Sequence, residues 1–246
     1  MIKIENVVLA SPEQMNFIIQ GMRNPMNSWE KSDSGTCLKN LPCHSCHENR
    51  KDCKKNIDSG FTLGENDRSL MQRLSNAGTE HRKYMRMMPV YAKITAPLYW
   101  WKEFDTYKVG TVANSCSTMH KLAEKEFTLE DFSCEHLKTD RDLTMYAPTG
   151  YHYSAKDLLT LVIKTLNNYR KEYLETKDKA LWWQMIQLLP SSYNQTRNVM
   201  MNYEVLTNIY RQRKGHKLDE WNDMCKWIET LPYSELITGE KENECN

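Results

Sequence analysis

Residues 90–96 read Val-Tyr-Ala-Lys-Ile-Thr-Ala and are stopped by Pro97. Val90, Ala92 and Ile94 alternate with Tyr91 and Lys93, which is the period of a half-buried strand. Directly after the proline the period changes, and Leu98 to about Tyr107 reads as an aromatic helix. The chain therefore mixes strands and helices. A second strand is expected over residues 2–9, which are rich in Ile and Val. A helix follows it, capped near Ser11 with Pro12 in its first turn, and Met15, Ile18, Ile19 and Met22 fall at helical spacing.

Helical pattern returns over about 66–87, with Gly78 as the break. The clearest helix is 154–176. It opens on Ser154-Ala155-Lys156-Asp157, a capping-box variant. Leu158, Val162, Leu166, Tyr169 and Tyr173 form its expected apolar stripe. A helix over about 178–188 stops at Pro190, and a short strand is expected at Asn198–Asn202. Helices at about 203–213 and 217–230 are separated by Lys214-Gly215. Trp100 and Trp101 read as core. Residues 109–150 have a mixed pattern, and the charged tail beyond Gly239, 241–246 above all, is expected to be disordered.

Composition bounds the partners. Lys plus Arg is 33 and Asp plus Glu is 32, a net charge of +1. That balance gives no global attraction to nucleic acid or to a membrane surface. No stretch of roughly 18 or more apolar residues occurs, so no membrane span is expected. The N-terminus has no export-signal pattern, and a cytoplasmic location is the expectation. In a reducing cytosol, clustered cysteines are more often ligands or catalytic groups than disulfides.

Four of the eight cysteines crowd into one polar stretch, at about 30–60, that lacks apolar periodicity: Cys37, Cys43, Cys46 and Cys53. The spacing is C-x5-C-x2-C-x6-C. Zinc takes four soft or borderline ligands in a tetrahedron, and a C-x2-C pair supplies half of it. Bound metal would also supply the folding energy that such a core-less segment lacks. An iron–sulfur cluster would use the same thiolates, and a loop with incidental thiols is the third reading. Lys51, Lys54 and Lys55 border the cluster. No aromatics interleave with them, so nucleic-acid binding is not expected.

The most specific stretch runs from Leu189-Pro190 through Thr196 to Asn202, Glu204, Leu206, Asn208, Arg213, His216 and Glu220. It resembles the flavin-dependent thymidylate synthases. That family carries Leu-Pro before a Thr-containing strand, then an Asn-x-Arg-Ser-Leu-x-(Asn or His)-Phe-x-x-x-Arg helix, then a His or Ala preceding Glu-Ile. The Ile-Lys-Ile…Ser-Pro-Glu opening, His81, the strand 90–96 and Asn114 with its serines follow the family's order of elements. The segment 105–120 departs from it. Where the family has Arg-His-Arg, Lys108 is the only cation, and Glu204 stands at the arginine of the helix motif.

The resemblance implies an α/β (α+β) fold: a central twisted, mainly antiparallel sheet with flanking helices, in one domain spanning 1–240 with the cysteine-rich insertion. It implies a homotetramer. The implied activity is methylation of a deoxyuridine nucleotide at C5, dUMP to dTMP. Methylenetetrahydrofolate would be the one-carbon donor, with FAD as cofactor and NADPH as reductant. By the same resemblance Arg213 is the catalytic cation, a fixed charge beside the pyrimidine edge. His81, Asn202, Asn208, His216 and Glu220 fall at flavin positions, the last two read as an i, i+4 pair on one helix face. Arg86, Lys108, Asn114, Ser115 and Ser117 fall at nucleotide positions. Two other outcomes stay open: a relative modifying another deoxypyrimidine nucleotide, and an inactive nucleotide-binding or scaffold protein with a metal-bound loop. Cys116 is either a buried inert thiol or a nucleophile toward the ring.

Overall fold

The computed structural model describes residues 1–36, 61–119, 121–140 and 153–239. Strand β1 (Lys3–Leu9) leads into helix α1 (Pro12–Arg23). Ser11 caps that helix: its hydroxyl accepts from the Gln14 N–H, while the Gln14 side chain accepts from the Ser11 N–H at 2.8 Å. Met15, Ile18, Ile19 and Met22 are buried, as their spacing requires. Strands β2 (Gly35–Thr36) and β3 (Phe61–Thr62) pair antiparallel, Gly35 opposite Thr62 and Thr36 opposite Phe61.

Helix α2 (Glu65–Asn76) ends just before Gly78, whose φ of +102° suits glycine. The expected helix 66–87 is thus shortened. Its second half is a 3₁₀ turn, Lys83–Met87. Strand β4 (Pro89–Pro97) then buries Val90, Ala92, Ile94 and Ala96. Helix α3 (Leu98–Phe104) follows at once, with Trp100, Trp101 and Phe104 buried in mutual contact at centroid distances of 4.9–5.3 Å.

Strand β5 (Val112–Ser115), absent from the sequence reading, is exposed throughout. Helix α4 (Ala155–Thr176) begins with the expected box: Ser154 Oγ accepts from the Asp157 N–H and the Asp157 carboxylate from the Ser154 N–H. Its buried face is Leu159, Ile163 and Leu166, one residue round from Leu158 and Val162. That face packs with Met185 of helix α5 (Lys179–Leu188) and with Phe127 and Phe132. Strand β6 (Asn194–Asn202) is longer than expected, and helices α6 (Tyr203–Arg213), α7 (Asp219–Glu229) and α8 (Glu235–Thr238) complete the described chain.

The four-stranded sheet has the order β1-β4-β6-β5. The expected mixture of a sheet with flanking helices is therefore the fold found. The chain clusters into two compact units. The first is Met1–Ile4, Lys93–Thr106 and Asn114–Asn198; the second is Glu5–Ala92, Tyr107–Ala113 and Val199–Asn246. Among the described residues no helix is long and apolar enough to cross a membrane.

Candidate functional site

Helix α6 organises the second unit's site. Asn202 is its N-cap, and its side-chain oxygen accepts from the Val205 N–H at 2.9 Å. Gly110, at φ +81°, lies so close that a Cβ there would sit 2.9 Å from Asn202 Nδ2 and 3.0 Å from Val205 Cγ2. Only glycine lets the 107–113 segment run this tightly against the cap.

At the other end of α6, Arg213 is half-buried. Its guanidinium lies 4.6 Å from the centre of the fully buried Trp221 ring. Its Nε–H donates to Tyr107 Oη at 2.9 Å, and Nη1 is 3.3 Å from His216 Nε2. Tyr107 in turn donates to Gln212 Oε1 at 2.9 Å. The Leu218 N–H points at His216 Nδ1 at 3.1 Å, and Asn222 donates to the His216 carbonyl. A cation held by stacking and an oriented bond is a pre-aimed charge, the kind that stabilises anionic character in a ligand.

His216 and Glu220 do not share a helix face. Helix α7 begins at Asp219, so His216 sits in the turn before it, while Glu220 is buried in the first helical turn. Lys214-Gly215, with Gly215 at φ +75°, unwinds the chain here and delays the new helix.

Glu204, also on α6, is buried beside a cation. Arg82 Nε lies 2.6 Å from its Oε2, and both side chains are under a tenth exposed. Arg82 Nη2 reaches Thr79 at 3.3 Å and the Asn208 side-chain oxygen at 3.5 Å. The acidic residue that stands at the family's arginine thus has a cation of its own, supplied from another element. Arg82 was not picked out from the sequence, although the basic run His81–Arg86 was visible. His81 and Arg86 are exposed, as is Lys108.

The first unit holds the remaining nucleotide candidates. Asn114, Ser115 and Ser117 are exposed on and beyond β5. Cys116 is exposed too, which corrects the expectation of a buried thiol. Its backbone is fixed: the N–H donates to the Thr196 carbonyl at 2.9 Å, and the carbonyl accepts from Gln195 Nε2 at 2.8 Å. Arg197 stacks 4.2 Å from the Trp101 ring and donates to Asp105 at 2.7 Å and Gln195 at 2.9 Å. No local pattern announced Arg197, Tyr107 or Trp221. Cys225, in α7, is buried, and desolvation with the nearby Glu229 charge pushes its thiol up to about 11.

Cys37, Cys43, Cys46 and Cys53 lie outside the described residues. Among those described, no cluster of His, Cys, Asp and Glu could hold a metal ion. For a flavin, the chemistry of the donor set fits. Arg86 and Lys108 are exposed cations with no ion pair among the described residues, which suits phosphate. The Asn208 amide and the His216 imidazole are polar groups of the kind a ring edge needs, and each already meets a neighbour: Arg82 Nη2 for Asn208, the Leu218 N–H and Arg213 Nη1 for His216.

No family model matches the chain, and no curated protein matches it. The fold itself is shared with solved structures. One is thymidylate synthase X (ThyX) from Helicobacter pylori with FAD and dUMP, at 17% identity and a TM-score of 0.57, covering 96% of this chain and 95% of that one. Another is the UMP/dUMP methylase PolB from Streptomyces cacaoi bound with 5-Br dUMP. It is 12% identical, with a TM-score of 0.57, and covers 97% of this chain and 95% of that one. At such identities the likeness establishes a ThyX-like fold.

Proposed function

We propose that the protein methylates a deoxyuridine nucleotide at C5, converting dUMP to dTMP with methylenetetrahydrofolate as one-carbon donor and NADPH as reductant. The observation that carries this reading is Arg213. It is the last arginine of the family-like helix, and it is braced by Trp221 and Tyr107 rather than left to solvent. An always-charged fork of donors beside the pyrimidine edge would stabilise the negative charge that makes C5 nucleophilic.

FAD, when bound, would supply the hydride that reduces the transferred one-carbon group to a methyl. His81, Asn208, His216 and Glu220 are the residues proposed to hold it. Asn202 already spends its side-chain oxygen on the helix cap, so its part is to fix the start of α6 and, through Nδ2, to offer one donor. Arg86 and Lys108 would take phosphate charge, and Asn114, Ser115 and Ser117 the nucleotide's polar groups. Zinc at Cys37, Cys43, Cys46 and Cys53 and a homotetrameric assembly complete the proposal.

The replacement of Arg-His-Arg by a segment with Lys108 as its sole cation favours a second reading, in which another deoxypyrimidine nucleotide is the substrate. The test is purification followed by assay. A bound-flavin spectrum with tritium released from C5 of dUMP is the expected result, and Arg213→Ala lowers turnover about 100- to 1,000-fold, the scale of losing an oriented charge-stabilising donor. Bound flavin without dUMP turnover would move the assignment to the second reading. Colourless protein that binds neither FAD nor dUMP would end both and leave an inactive scaffold.

A further inference from the structure

Tyr107 lies in the segment where the family carries its basic motif, and the proposed reaction gives it no part. Its phenol oxygen stands between two residues of α6. It accepts from Arg213 Nε–H at 2.9 Å and donates to Gln212 Oε1 at 2.9 Å. An arginine can only donate, so the phenol proton must go to Gln212, and the direction of both bonds is fixed. The ring also completes an aromatic corner. It meets Trp221 edge-on at 6.0 Å and 67°, and the Arg213 guanidinium is 5.7 Å from its centre.

His216 is a weaker brace. Its two ring nitrogens each face a donor, the Leu218 N–H at 3.1 Å and Arg213 Nη1 at 3.3 Å. A neutral imidazole has one lone pair to offer, so it satisfies one of the two at a time. The Tyr107 oxygen accepts in either tautomer. A cationic side chain at 107 would instead meet Arg213 as a like charge at hydrogen-bond distance, whereas a neutral phenol gives a charge-assisted bond.

We propose that Tyr107 is a positioning residue that sets the orientation of the Arg213 guanidinium, a role that the neutral phenol gains where the family's basic motif is lost. The inference rests on the reading of Arg213 as the cation beside the pyrimidine. The experiment separates the two. In ¹⁵N-labelled protein, the Arg213 Nε–H resonance, assigned by its loss in Arg213→Lys, is expected to be sharp in the wild type and exchange-broadened in Tyr107→Phe. In the assay with dUMP, methylenetetrahydrofolate, FAD and NADPH, Tyr107→Phe is expected to lower kcat by about 10- to 100-fold, the scale of a charge-assisted hydrogen bond, with KM for dUMP changing far less.

Gln212→Leu, at an exposed position, releases the phenol proton from its acceptor and serves should Tyr107→Phe not fold. It is expected to broaden the same resonance and to lower kcat by a smaller factor. An unchanged Arg213 resonance in the folded variants overturns the positioning role whatever the activity. A broadened resonance in a protein that does not methylate dUMP leaves the positioning role standing and removes the proposed function instead.

Discussion

Among the described residues of the second unit lie two buried arginine–carboxylate pairs, Arg23–Asp67 and Arg82–Glu204, and they are built differently. Around Arg23 every nitrogen has a partner. Nε donates to Asp67 at 2.5 Å, Nη1 to the Ser28 carbonyl and hydroxyl, and Nη2 to the Lys31 carbonyl. Asp67 also accepts from Ser32 Oγ and from the Asp33 and Ser34 N–H groups. Around Arg82 the accounting does not close. Nε and Glu204 Oε2 are near but unaligned, and these atoms and Nη1 are buried without a hydrogen-bond partner among the described residues. A closed network organises backbone and strengthens itself, whereas an open one carries a desolvation cost that packing elsewhere must offset. The first pair is a structural clamp. The second reaches, through Arg82 Nη2 at 3.5 Å, the side chain of Asn208, a residue proposed to hold flavin.

The comparison can be broken first at its stronger side. Asp67→Ala strands Arg23 and three further donors and should cost about 3–5 kcal/mol, read by denaturant unfolding. The double variant Arg23→Met with Asp67→Leu should still destabilise, by roughly 1–3 kcal/mol, because Ser32, Asp33 and Ser34 lose their acceptor. Arg82→Met with Glu204→Leu has few bonds to lose and should come out near neutral or more stable by up to about 4 kcal/mol; a large loss there would show that the two pairs are equivalent.

The smallest effect is one of pH. Burial pushes the Asp67 carboxyl up, but hydrogen bonds from Ser34, Ser32 and Arg23, with the Arg23 charge, hold it below its ordinary 3.8. A carboxylate depressed on folding stabilises fully above that ordinary value. The stability is lost as pH falls through the lowered folded value. An acid-unfolding limb below about pH 4 should thus be present in the wild type and reduced in Asp67→Asn.

What the sequence made legible was local. The cap at Ser11, the box at Ser154, the alternation from Val90 and the breaks at Gly78 and Gly215 each depend on a few adjacent residues, and each is found. The stripe of α4 was read one residue off because Leu158-Leu159 and Val162-Ile163 are apolar doublets, and period alone does not choose between their members. The site was less legible. Tyr107 and Arg213 are 106 residues apart, and nothing near Arg82 names Glu204 as its partner. A buried thiol was one of the two readings of Cys116, from the habit of its residue type, whereas the residue is exposed just beyond a strand that is itself exposed throughout.

The short β2–β3 ladder has a consequence for how this chain can change. It brings Thr36 beside Phe61 and Gly35 beside Thr62, and the Asp33 carboxylate and Ser34 hydroxyl accept from the N–H groups of Gly64, Asn66 and Asp67 just beyond. Thr36 and Phe61, the described residues on either side of the cysteine-bearing stretch, are thus partners in one ladder. A tight turn spliced between Thr36 and Phe61 would therefore keep the register of both sides, and a chain shortened in this way is expected to retain the ladder and the bonds around Asp67.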